Sequence, residues 1–144
     1  MDYTELAATF VNQMGTLRKA RPQKHIDDAL HGESFVLHFI AQRRGVVLPG
    51  EIGQEMDVST ARIASALNSL EKKGLITRKI DAQDRRRILV SITKEGETLA
   101  CAQHRALIGK TAEMLALLGE QDAQEYVRIT CKLAEIFLSQ KNCK

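Results

Sequence analysis

The stretch Ser59–Lys94, STARIASALNSLEKKGLITRKIDAQDRRRILVSITK, decides the fold. It reads as one helix followed by a hairpin. Ser59 suits an N-cap, because its hydroxyl accepts a hydrogen bond from an otherwise unpaired amide of the first turn. Ile63, Leu67 and Leu70 recur at helical spacing and define one buried face. At about 100° per residue, Ala61, Ser65, Asn68 and Lys72 fall on the opposite face, with Arg62 and Ser69 at its edges. That outer face is short, polar and nearly free of acid. Gly74 ends the helix, since glycine tolerates the left-handed conformation in which helices commonly terminate. Leu75–Ile80 and Ile88–Ile92 each read as a short strand rich in β-branched residues. The tip between them, DAQDRRR, is polar and mostly basic.

Charge marks the same stretch. It holds nine basic and three acidic side chains, a net charge of +6, whereas the whole chain carries +3. The remainder is therefore mildly acidic. A basic module in such a setting implies a localised anion-binding surface, with a polyphosphate backbone as the first candidate. On charge alone, a solvated helix and an aggregation-resistant edge hairpin explain the pattern equally well.

The rest of the chain supplies a helical frame. At 144 residues, 44% hydrophobic and 27% charged, it fits one compact chain. Aromatics make up 4% and tryptophan is absent, so single-strand binding by base stacking is disfavoured. Tyr3, Leu6, Phe10, Met14 and Leu17 predict a helix from about residue 3 to 20, stopped at Arg21-Pro22. Residues 22–31 read as a loop or short helical turn. Residues 33–44 form a second helix, apolar on more than one face and closed by Gly45. Val46-Val47-Leu48 is a strand fragment able to pair with the hairpin. Pro49 suits a first helical position and opens a short helix to Met56. Asp57-Val58-Ser59 then turns into the central helix, so the two helices form a helix-turn-helix and the hairpin its wing.

Thr93 caps a helix that runs to about Leu118, and Gly119 breaks it. Residues 122–140 form a last helix whose apolar residues spread over most of its circumference. Such a helix needs two partners, and a second copy of the chain is the natural second one. The N-terminus has no signal-peptide pattern and no apolar run approaches the roughly 18 residues of a membrane span. Three scattered cysteines make neither a disulfide framework nor a zinc knuckle. A reduced, cytoplasmic protein is expected, with no membrane partner.

The segment Leu48–Leu99 closely resembles the winged helix-turn-helix core of the MarR (multiple antibiotic resistance regulator) transcription factors. The matching pieces are LPGEIGQEMDVS, SLEKKGLITR and DAQDRRRILVSITKEGETL. The resemblance implies a mainly α fold with a small β-hairpin. A DNA-binding lobe would span 33–94 and a helical dimerisation lobe 1–32 and 95–144. It implies a homodimeric transcriptional regulator, a repressor responsive to a small anionic or aromatic effector, acting on double-stranded DNA at a palindromic operator. The recognition helix, about 59–73, would present Ser59, Thr60, Arg62, Ser65, Asn68, Ser69 and Lys72 to the major groove. In the wing, Asp84 would orient Arg86 toward the minor groove, where a fixed guanidinium suits a narrow, negative site. Arg85, Arg87 and Lys94 would contact phosphates. The family's frequent Thr-Arg pair is Ala64-Ser65 here, which leaves Arg62 to grip a guanine edge. Gly53 stands where the family usually has alanine.

Other constellations carry less. Glu97, Cys101 and His104 share one helix, but His25, His31 and His38 show no ligand spacing with them, so no metal site is expected. His38 interrupts an apolar helix and reads as a hydrogen-bonded, partly buried imidazole; its functional reading is a polar handle in an effector pocket. Cys101 and Cys131 read as packed residues. No phosphate loop, nucleophile elbow or zinc-hydrolase helix is present, and neither catalysis nor a cofactor is expected. The other function class open to this pattern is a winged-helix protein–protein module that sets its basic hairpin on an acidic partner.

Overall fold

The computed structural model describes residues 2–19 and 32–141. Among them lie six helices and one hairpin: α1 (Thr4–Lys19), α2 (Glu33–Gln42), α3 (Pro49–Met56), α4 (Thr60–Lys72), β1 (Ile76–Ile80), β2 (Ile88–Ile92), α5 (Lys94–Ala116) and α6 (Glu120–Lys141). The stop at Arg21-Pro22, the connection 22–31 with His25 and His31, and Cys143 lie outside the described residues. The chain divides into two compact units, with the boundary between Leu107 and Ile108, inside α5.

In the first unit the core forms where the apolar pattern places it. Val36, Leu37, Phe39 and Ile40 of α2, Ile52 of α3, and Ile63, Leu67 and Leu70 of α4 are buried together with Val47, Leu75, Ile76, Val90 and Ala100. α2 ends at Gln42, two residues before the predicted stop, and Gly45 turns the chain at φ +140°. Val47 then exchanges both backbone hydrogen bonds with Val90 at 2.9 Å, which adds a strand fragment to the hairpin. The hairpin register pairs Ile76 with Ile92, Arg78 with Val90 and Ile80 with Ile88.

Backbone chemistry fixes the ends of the helix-turn-helix. Leu48 N–H donates to the Glu51 carboxylate at 2.9 Å, which closes the first turn of α3 behind Pro49. Asp57 ends α3 in the left-handed region, at φ 52°, a conformation that a short polar side chain tolerates. Ser59 caps α4, its hydroxyl accepting from Arg62 N–H at 3.4 Å. At the far end Gly74 takes φ +72°.

Thr93 joins the start of α5 to the end of α4. Its hydroxyl donates to the Gly74 carbonyl at 2.7 Å and accepts from Gly96 N–H at 3.1 Å. Gly96 must remain glycine here, because a Cβ would collide with the Leu75 carbonyl oxygen and with Ile92.

α1 and α6 bury nothing. Leu6, Phe10, Met14 and Leu17 of α1 are exposed, Phe10 to 65%. In the second unit Tyr126, Val127, Ile129, Leu133, Ile136, Phe137 and Leu138 of α6 are exposed as well, Phe137 to 62%. The preceding helix stops at Ala116 rather than Leu118. Gly119, at φ +80°, donates to the Ala116 carbonyl and accepts from Ala123 N–H, so α6 starts two residues earlier than its apolar pattern alone predicts.

Candidate nucleic-acid interface

α4 holds its core face with Ile63, Leu67 and Leu70, which leaves Ser59, Thr60, Arg62, Ser65, Asn68 and Lys72 exposed. Ser69 is half-buried. Arg62, Ser65 and Ser69 line a groove of about 420 Å³ together with Glu33, Val36, Met56 and Val58. One side of α4 is therefore concave rather than flat. Arg62, Lys72, Arg85, Arg87 and Lys94 enter no ion pair with the described residues. Lys94 is the first residue of α5, where a cation opposes the helix dipole. A nearby anion would relieve that cost.

The wing tip is built by its aspartates. Asp81 Oδ1 accepts from Gln83 N–H at 3.0 Å, and Asp81 N–H donates to the Arg87 carbonyl at 3.0 Å, which closes the loop. Asp84 works twice through one oxygen. Its Oδ1 accepts from the Arg86 backbone N–H at 3.1 Å and from Arg86 Nε at 3.2 Å. The Arg86 side chain is otherwise 92% exposed. Its root is held while both terminal nitrogens stay free to donate.

Arg78 is absent from the residues singled out in the sequence. It alternates with Ile76 and Ile80 on one side of β1 and so reaches α4 from the wing. Its guanidinium donates through Nη2 to Asn68 Oδ1 at 2.7 Å and to Glu71 Oε1 at 2.9 Å, and through Nε to Glu71 Oε2 at 3.2 Å. The hydrogen bonds from Arg78 hold the Glu71 carboxyl below its ordinary pKa, and those to Glu71 hold the guanidinium above its own. A charged residue at an inward position of a short strand was the available signal. Lys73 also pairs with Glu33 at 2.7 Å and links the end of α4 to the start of α2.

His38 departs from its expected environment. It has no hydrogen bond among the described residues; its ring stacks on His104, with centroids 4.7 Å apart and planes within 12°. Burial first, and then the neighbouring His104, push the His38 imidazole below its ordinary pKa. Sequence spacing separated His38 from the Cys101–His104 pair, yet the packing of α2 beside α5 unites them in a cavity of about 560 Å³ with Arg44, Glu97 and Arg105. Among the described residues no three His, Cys, Asp or Glu side chains converge to hold a metal ion. Cys101 and Cys131 are exposed rather than packed.

Comparison with known proteins gives this arrangement a lineage. Residues 30–87 match the model of the MarR family. The transcriptional regulator HosA of Escherichia coli O157:H7 is 30% identical over 124 residues, covering 85% of this chain and 90% of HosA. The HTH-type transcriptional repressor MdtR of Bacillus subtilis is 32% identical over 97 residues, covering 65% of this chain and 61% of MdtR. The fold matches that in the crystal structure of an S. aureus MepR–DNA complex with a TM-score of 0.62 at 21% identity, over 96% of this chain and 98% of that one. The protein is a winged helix-turn-helix transcriptional regulator and belongs to the MarR family.

Proposed function

We propose that this chain acts as a homodimeric repressor that binds a palindromic operator in double-stranded DNA and releases it in response to a small anionic or aromatic effector. The observation that carries the DNA reading is the Asp84–Arg86 pair, a carboxylate holding the root of an otherwise exposed guanidinium at the tip of a basic wing. Residues 33–94 form the reading lobe in this view. Ser59, Thr60, Arg62, Ser65, Asn68, Ser69 and Lys72 face the major groove, Arg86 the minor groove, and Arg85, Arg87 and Lys94 the phosphates. Two-fold symmetry sets the half-sites about one helical turn apart. Segments 1–32 and 95–144 supply the dimer contacts in this view, because the apolar residues of α1 and α6 are exposed. MdtR, which is named a repressor, supports that sign of regulation.

The cavity at His38, His104, Arg44 and Arg105 would hold the effector, since two guanidinium groups and an imidazole pair suit an anionic ring. Among the described residues no helix is long and apolar enough to cross a membrane; action on DNA in the cytoplasm is part of the proposal. The test is titration of random and selected duplexes with the purified full chain over a range of salt. Log affinity should fall linearly and steeply with log salt as phosphate contacts release counterions. Duplex affinity that is absent, or unchanged by salt, would refute the reading and leave an acidic protein as the wing's partner.

A further inference from the structure

Among the described residues, Asn68 is the one side chain on the outer face of α4 that is already bonded to another element of the fold. Its partner fixes which way the amide lies. A guanidinium has five donors and no acceptor, so the amide atom 2.7 Å from Arg78 Nη2 is the oxygen, by chemistry rather than by choice. Turning the amide over would set its amino group against a cation. Arg78 itself cannot swing aside freely, because two bonds to Glu71 lock its plane. The amino group of Asn68 is left with two hydrogens and no partner among the described residues, on an exposed residue of the helix proposed to enter the groove.

An unrestrained asparagine reads adenine with two bonds, giving a hydrogen to N7 and taking one from the N6 amino group. That mode needs the amide oxygen as well as the nitrogen at the base. Here the oxygen is drawn toward the wing by a charged donor.

We propose that Asn68, with its amide oxygen held by Arg78, enters the major groove as a hydrogen-bond donor and selects guanine or thymine at the base it faces, against adenine and cytosine. Guanine offers two acceptors, N7 and O6, and thymine offers O4; adenine offers N7 alone, beside an amino group that repels a second donor hydrogen, and cytosine offers only an amino group. Arg78 is the positioning residue of this contact and Glu71 its lock. The inference rests on the proposed duplex binding, and the two fail in different ways.

The experiment is selection from a randomised duplex library by the intact protein, followed by titration of single-base variants of the selected site. Wild type should show one position per half-site where guanine or thymine is favoured about fivefold or more over adenine and cytosine. Asn68→Asp keeps an acceptor for Arg78 and removes the donor. Its preference at that position should vanish or turn to cytosine, which donates from N4 to a carboxylate. Arg78→Ala frees the amide, and adenine should then be accepted at the same position. Asn68→Asp retains the link to Arg78, so it gives an answer even if Arg78→Ala does not fold. A selected site whose base preferences are identical in wild type and Asn68→Asp would overturn the inference while leaving DNA binding intact. So would a wild-type preference for adenine that Asn68→Asp abolishes. A protein that selects no duplex at all refutes the underlying reading instead.

Discussion

Replacing Asp84 by alanine separates orientation from charge at the wing. The substitution removes two hydrogen bonds made by one carboxylate oxygen, to the Arg86 backbone and to its Nε. It also removes a negative charge from a surface expected to face phosphates. The charge effect is small: two unit charges about 10 Å apart in water interact by about 0.4 kcal/mol, and salt at 0.1 M screens that to less than half. Random duplex should therefore bind at most about twofold more tightly. The orientation effect is larger. A released arginine side chain must be ordered again when it enters a groove, at a cost of about 1–2 kcal/mol. The selected operator should accordingly bind the variant about 5- to 30-fold more weakly than wild type. Asp84→Asn separates the two effects, because its amide oxygen can still accept from Arg86 while the charge is gone. Its operator affinity should stay within about threefold of wild type, an effect of less than 1 kcal/mol. The assay is fluorescence anisotropy on operator and random duplex at fixed salt, with Arg86→Ala as the reference. If Asp84→Ala tightens both duplexes alike, the carboxylate does not orient Arg86 and only overall electrostatics remains.

Four further outcomes are expected. Sedimentation at micromolar concentration should show a dimer, because covering α1 and α6 calls for an interface above about 2,000 Å², and a monomer would also remove the palindromic site. Arg62→Ala should cost about 1–3 kcal/mol on the operator and little on random duplex; equal weakening of both would make Arg62 a phosphate contact. Gly53→Ala should stabilise the fold by about 0.5–1 kcal/mol, since the added methyl meets only ordinary van der Waals neighbours at Val58 and Ile63. For His38, whose folded pKa lies below the usual 6.5, the unfolded chain takes up the proton first as pH falls. Stability is then fully present above that range and declines with acidification, and denaturant titrations of His38→Phe should show a shallower loss between about pH 7 and pH 5.

Four of the helix boundaries were legible because local chemistry sets them. Pro49, Ser59, Gly74 and Thr93 each act through bonds within a few residues, and the elements begin or end beside them as their types predict. The strand fragment at Val47 was legible for a different reason. A lone apolar run between a glycine and a proline has few places to satisfy its backbone, and the hairpin edge at Val90 is one. The exposed apolar residues of α6 also followed from pattern alone, since they spread over most of its circumference. What the pattern overstated was burial at Cys101 and Cys131. Their type favours the interior, but each lies on a helix face left exposed among the described residues.

Side-chain partnerships across elements were the illegible part. Composition marked the wing as basic, yet it could not divide those charges into committed and free. Arg78 and Arg87 look alike in sequence; one is spent on Glu71 and Asn68 and the other enters no ion pair. The difference arises from strand parity. Arg78 shares a side of β1 with buried Ile76 and meets α4, whereas Arg87 lies in the loop at the wing tip. The stacking of His38 on His104 is hidden in the same way, since residues on separate helices meet only through packing. A count of nine cations therefore overstates what the module can offer to phosphates. Arg78 and Lys73 are already paired within the fold, and the salt slope of duplex binding should reflect the cations that remain.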